Sequence, residues 1–229
     1  MSGHSHFAES IEEYLEAVYR LENEGPGVTT SALAAALGVA PASVSGMLKK
    51  LDKDGYVEYV ARGEVKLTRK GLEVGGRVLR RHRLAERLLT DVLGMPWDEV
   101  HSEACMLEHA ISQRVEDRLV ELLGNPQTCP HGHAIPAPDW RAAPRATLPL
   151  AHVDEGRRAV VSGVTYEAPE VLRYLGDVGL RPGVEVRIVE KAPLGGPVTI
   201  DIAGARHAIS LELARRVMVA ADGVSEQRR

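Results

Sequence analysis

The chain has 229 residues, enough for two or three small domains, each with its own core. With 44% hydrophobic and 26% charged residues it has a soluble, globular composition, and no apolar run approaches the roughly 18 residues that cross a membrane. The net charge of −4 excludes a polycation, so nucleic-acid binding would need a local basic surface, and two cysteines, Cys105 and Cys129, are too few for a disulfide framework. The opening MSGHSHFAES lacks a basic stretch followed by an apolar one. No secretory signal is expected, and the expected location is the cytoplasm, where the two thiols would be free or bind metal.

Residues 9–24 carry apolar side chains at Ile11, Tyr14, Leu15, Val18 and Tyr19, a helical stripe. TTSALAAALG, 29–38, predicts a short helix with a Thr cap and a Gly stop. VAPASVSGMLKKLDKDG predicts the next, with Pro41 in its first turn and Gly55 closing it. The alternation in YVEYVARGEVKLT, 56–68, predicts a two-stranded hairpin. Helical texture resumes from about Arg69 to Leu93 and from about Trp97 to Leu123. Six of the 13 prolines lie between Gly124 and Pro149, which marks a linker or a chain wrapped on a surface. From Leu150 the texture turns to short Val-rich runs (RAVVSGV, VEVRIVE, PVTIDIA, HAISL, RRVMVA) split by RPG and LGGP turns, with one helix at 167–179. That pattern predicts a small β-barrel. The tail DGVSEQRR is expected to be disordered.

Helix, short turn, helix, hairpin is the order of a winged helix-turn-helix. Leu33, Leu37, Val44, Leu48 and Leu51 would form its core, and the second helix would enter a major groove by its N-terminal residues. Pro41, Ala42, Ser43, Ser45 and Gly46 are placed for that. Lys49, Lys50 and Lys53 further along, and Arg62 at the wing tip, suit phosphate contacts. From Pro41 to Gly71 seven basic residues stand against four acids. The base-reading side chains are short, which implies a dimer reading two half-sites roughly 34 Å apart on double-stranded DNA. A winged unit used only for protein contacts is the plainer alternative.

On a helical wheel of 97–123, Val100, Leu107 and Ile111 share one face, whereas His101, Cys105, Glu108 and His109 share another. A thiol, a carboxylate and two imidazoles converging in this way point to a divalent transition metal. His82 and Glu86 form an i, i+4 pair on the preceding helix, and CPHGH offers Cys129, His131 and His133. Each pair alone is more often a solvated stripe; three in one chain favour metal. Paired-cysteine finger spacing and the His-Glu-x-x-His signature of zinc hydrolases are both missing from the sequence. A metal-dependent enzyme or a metal-buffering protein remain the alternatives.

EEYLEAVYRLE, VAPASVSGMLKKLDKDGYV, RRHRLAERLLTDVLG, VHSEACMLEHAIS and VEDRLVELLGNP together resemble the diphtheria-toxin-repressor family of metal-dependent transcriptional regulators, which has iron- and manganese-dependent branches. The resemblance runs over essentially the whole length. It implies a mainly α fold with a small β domain: a winged helix-turn-helix at 1–75, a helical dimerisation and metal-binding domain at 76–149 that includes the Pro-rich linker, and an SH3-like β-barrel at 150–229. It implies a repressor that binds operator DNA as a homodimer with Mn2+ or Fe2+ as co-repressor. It also implies a primary metal site of Glu13, Cys105, Glu108 and His109, with a further acid at Glu16. The iron-type pattern has Met at the Glu13 position and Cys at 105, and the manganese type has acids at both. This chain mixes the two, and its hard ligands tilt the balance to manganese. The implied ancillary site is His82, Glu86 and His101, completed either by Glu167 and Glu170 from the β domain or, as in some manganese-type members, by Cys129 and His131. Glu13 falls off the apolar stripe of its helix, so its role rests on the resemblance alone.

Overall fold

The computed structural model describes residues 3–24, 28–60, 63–140 and 146–220. Contacts divide the chain into two compact units, Met1–Ala85 with Ala104–Gly124 and Ile135–Ala143, and Glu86–Glu103 with Asn125–Ala134 and Pro144–Arg229. The stretch 76–149 is thus shared between the two units.

In the first unit, α1 (Gly3–Glu24) lays Tyr14, Leu15, Ala17 and Val18 into a core with Leu33, Val44, Leu48 and Leu51. The helix begins six residues ahead of the expected start. Next, α2 (Thr30–Leu37) is capped by the Thr29 hydroxyl, which accepts from Ala32 N, and stops at Gly38, whose φ of 66° suits a residue without Cβ. Then α3 (Pro41–Lys53) opens on Pro41, where no helical N–H is needed, and meets α2 at 111°, the crossing of a helix-turn-helix. A two-stranded hairpin follows, β1 (Val57–Tyr59) and β2 (Val65–Leu67), antiparallel, with Val57 and Val65 buried. In α4 (Arg69–Arg87), Gly75 touches α1 backbone to backbone: a Cβ there would come within 2.4 Å of Leu15 O. The helix then widens into a five-residue π turn, Leu88–Val92.

The helix expected over 97–123 is instead two, α5 (Val100–Glu108) and α6 (Gln113–Leu122). Ser112 takes an extended conformation and its hydroxyl accepts from Val115 N, so a fresh N-cap starts the second helix. The buried Glu116 of α6 accepts from Arg80 Nε at 2.8 Å and Arg81 Nε at 3.1 Å, and Arg80 also donates to Pro136 O at 2.6 Å. These bonds tie α4, α6 and the proline-rich segment together.

The second unit is built on six antiparallel strands, β3 (Thr147–Pro149), β4 (Arg158–Val164), β5 (Glu185–Lys191), β6 (Val198–Ile202), β7 (Ala205–Ile209) and β8 (Val217–Ala220). Their order is β3-β8-β4-β5-β6-β7, and the terminal strands β3 and β7 do not pair, so the sheet is open by its hydrogen bonds. Alternation buries Ala159, Val161, Val186, Ile188, Val198 and Ile200 against Leu172 and Leu175 of α7 (Pro169–Asp177). The expected strand run around Arg215 begins instead as a short helix, α8 (Leu211–Arg216), capped by Ser210. No single helix among the described residues is long and apolar enough to cross a membrane.

Candidate functional site

The donor side chains gather into two clusters, one in each unit. In the first, Glu108 at the end of α5 is buried between two imidazoles. His82 Nδ1 donates to its Oε2 at 2.5 Å, and His109 Nε2 lies 3.2 Å from its Oε1. On its other side His109 Nδ1 donates to Glu12 Oε2 at 2.7 Å, and Cys105 Sγ lies 4.0 Å from His82 Nδ1. The order Glu12, His109, Glu108, His82 therefore runs from α1 through α5 to α4. A carboxylate at each nitrogen favours the charged form of the imidazole. Burial lowers the His109 pKa, but the Glu12 hydrogen bond and the charges of Glu108, Glu12 and Glu13 outweigh it and raise it. Glu16, one turn after Glu12, faces the same centre: burial and then the charge of Glu108 push its carboxyl pKa up. Three crowded acids, opposed at Glu16 by the charges of His82, Arg20 and Arg83, with imidazole and thiol beside them, are donor types that suit a divalent cation.

Glu13 is exposed, and it acts on His109 only through its charge. The α1 carboxylate in contact is Glu12, which sequence reasoning missed. The i, i+4 spacing of Glu12 and Glu16 was the available signal. His82 differs from the implied grouping too: its partners in the first unit are Glu108 and Cys105.

The second cluster holds Glu86, His101, Cys129, His131, His133 and Glu167. Donor atoms of Glu86, Cys129 and His131 lie within 4.8 Å of one another, all three residues being buried, and those of Glu86, His101 and Glu167 do likewise. His131 is fully buried, and its Nε2 donates to Trp97 O at 2.7 Å. That bond occupies Nε2 and leaves Nδ1 facing inward, 3.4 Å from Glu86 Oε1, with no well-formed hydrogen bond of its own. A buried nitrogen in that condition, beside a thiol and two carboxylates, has the form of a metal ligand. Burial by itself would lower the His131 pKa, but the neighbouring Cys129 and Glu86 and the charge of Glu167 carry it up to about 11. Glu170 is exposed in the first turn of α7, and no hydrogen bond or ion pair joins it to the cluster among the described residues. Both sets offered by the sequence therefore contribute here: Glu86, His101 and Glu167 from one, Cys129 and His131 from the other.

Local backbone chemistry sets this second cluster. Cys129 N donates to His133 O and Gly132 N to Cys129 O, closing a tight turn. Gly132 has φ of 96°, and a Cβ on it would fall 2.0 Å from Ser162 O, so the turn lies directly on β4. Gly132→Ala is therefore expected to displace the Cys129–His133 turn and lower the number of metal ions the protein binds, although it touches no donor. Metal stoichiometry of the two proteins checks this; an unchanged count would contradict it.

On α3, Pro41, Ala42, Ser43 and Gly46 are exposed together with Lys49 and Lys53, and Ser45 and Lys50 are half-buried. The Ser45 hydroxyl donates back to Pro41 O at 3.0 Å. Open space surrounds the Gly46 Cα. The face thus presents small groups followed by ammonium groups, the shape and charge that a DNA groove and its phosphates accept. Arg62 lies outside the described residues, as does the C-terminal tail.

Residues 6–65 match the family model described as "Iron dependent repressor, N-terminal DNA binding domain", residues 68–137 match "Iron dependent repressor, metal binding and dimerisation domain", and residues 148–221 match the FeoA domain. The chain is 34% identical over 223 residues to the iron-dependent repressor IdeR of Mycobacterium leprae, covering 92% of this chain and 96% of the relative. It is 33% identical over 221 residues to the diphtheria toxin repressor of Corynebacterium glutamicum, with the same shares covered. Among solved structures, a manganese-dependent transcriptional repressor in complex with manganese superposes with a TM-score of 0.83 at 31% identity, over 92% of this chain and 99% of the other.

Proposed function

The chain belongs to the family of metal-dependent transcriptional repressors that contains IdeR and the diphtheria toxin repressor, and from that membership we propose that Mn(II) or Fe(II) switches on its operator binding as a homodimer. The observation that carries the switch is His109 held between Glu12 of α1 and Glu108 of α5. The stretch matched by the DNA-binding model and the stretch matched by the metal-binding model meet at that imidazole.

In this reading 1–75 reads DNA, 76–149 dimerises and binds metal, and 150–229 is the β domain that supplies Glu167. The regulatory ligands are Cys105, Glu108, His109, Glu16 and an α1 carboxylate, Glu13 by family pattern or Glu12 by contact. A divalent cation at this cluster supplies the positive charge that offsets the repulsion among its acids. His109 would hold the ion through a ring nitrogen free of its proton, and Glu12 or Glu13 would keep α1 docked against it. With α1 fixed, Ser43, Ser45 and the α3 lysines are held at one spacing, and two copies reach two half-sites together. Operator DNA must in turn tighten metal binding by the same factor. The work is regulatory rather than enzymatic, and its setting is the cytoplasm.

Fluorescence anisotropy on duplexes selected from a random pool, at one stated salt concentration, tests this with Mn(II), Fe(II), Zn(II) and Co(II) titrated in parallel. Tighter binding with Mn(II) or Fe(II) is expected. Equal affinity with and without metal rejects the switch, and metal binding without DNA binding favours a metal buffer. In the same assay Glu12→Gln and Glu13→Gln separate the two α1 carboxylates: the one that holds the metal raises the Mn(II) concentration needed.

A further inference from the structure

His133 has no role in the function proposed above, yet its side chain sits at the second cluster. Its Nε2 lies 2.8 Å from Glu167 Oε1, and the pair is partly buried, 19% and 24% exposed. Glu167 stands between the end of β4 at Val164 and the start of α7 at Pro169, where no strand or helix ladder fixes it. Its other oxygen, Oε2, lies 3.9 Å from His101 Nδ1, while Oε1 also lies 3.8 Å from His131 Nδ1, and the residue belongs to the group formed with Glu86 and His101. His133 itself is in neither donor group. Its backbone is fixed, because the His133 carbonyl accepts from Cys129 N, the residue that brings the thiol.

We propose that His133 is a positioning residue of the second metal site, whose Nε2–H holds Glu167 Oε1 and so commits the carboxylate to bind metal through Oε2 alone. One hydrogen-bonded turn would then set two donors, Cys129 through the chain and Glu167 through the His133 imidazole. A carboxylate held by one oxygen takes a single coordination position. The cluster's donors are one sulfur, the imidazoles of His101 and His131 and oxygens of Glu86 and Glu167, in two groups that share Glu86, a donor set for a transition ion rather than for Ca2+ or Mg2+. Partners of this kind that orient a ligand typically change metal affinity by 10- to 100-fold.

The inference rests on the second cluster being a metal site. The test uses Co(II) on the full chain carrying Cys105→Ser, so that thiolate-to-metal absorption reports Cys129. His133→Ala is expected to weaken Co(II) at this site by about 10- to 100-fold in chelator competition while the band positions of the saturated protein stay put. His133→Gln, which keeps a donor near the Nε2 position, is expected to restore most of the affinity. Unchanged affinity in His133→Ala overturns the proposal. So does a shift of the ligand-field bands in His133→Ala that Gln fails to reverse, because it would make His133 a ligand. If the parent protein shows no thiolate–Co(II) band before any His133 change, the metal reading of the cluster fails as well, and that failure is separately visible.

Discussion

Glu108→Gln is expected to leave a folded protein whose operator affinity no longer responds to Mn(II) or Fe(II). Glu108 is 2% exposed and meets both His82 and His109. An amide keeps the volume, and its oxygen can still accept from one imidazole. Truncation to Ala would take a partner from the buried His82 and the partly buried His109, at roughly 1–3 kcal/mol for a buried group left unsatisfied. The amide removes the charge that a cation needs, and with it the link from α4 and α5 through His109 to α1. Coupling between two sites in regulatory proteins is typically 1–3 kcal/mol, or about 5- to 150-fold. The metal-dependent gain in operator affinity should fall from that range to near unity, with basal affinity unchanged. Anisotropy with and without metal measures the gain, and thermal unfolding without metal checks the fold. A variant that keeps its full metal response would remove Glu108 from the switch.

The helix-turn-helix was legible because its signals are local. The Thr29 cap, Gly38 stop, Pro41 start and 3.6-residue apolar period each act within one turn of chain, and the structure uses all of them. The break between α5 and α6 was not legible, since no Gly or Pro marks it and Ser112 is a common helix residue until its hydroxyl takes Val115 N. The open sheet edge between β3 and β7 follows from long-range pairing that strand texture does not encode. Residue types at the clusters were legible and their grouping was not. His82 and Glu86 lie one turn apart on α4, but the chain passes from one compact unit to the other between Ala85 and Glu86. The two side chains therefore serve different clusters. Glu12 and Glu13 are neighbours in sequence but about 100° apart around α1, and only the packing of α1 on α5 decides which carboxylate meets His109.

Proton competition gives the second cluster a pH response opposite in sign in its two states. Without metal, the His131 pKa is raised to about 11 from an unfolded value near 6.5, so the folded protein holds that proton at neutral pH. The stabilisation from this group is fully present below about pH 6.5 and is lost as pH rises towards 11. A metal held by Nδ1 would displace that proton, so binding would release it and weaken as pH falls. Each proton displaced costs about tenfold in affinity per pH unit while the free group stays protonated. The gap in melting temperature between metal-bound and metal-free protein should therefore widen from pH 6 to pH 8. Metal addition in weak buffer should acidify the solution. His131→Phe, which keeps a ring beside Trp97, should flatten the slope due to this group. Differential scanning calorimetry at several pH values, with the metal at fixed excess, reads the gap directly. A gap independent of pH would mean that metal does not take the place of the proton at His131.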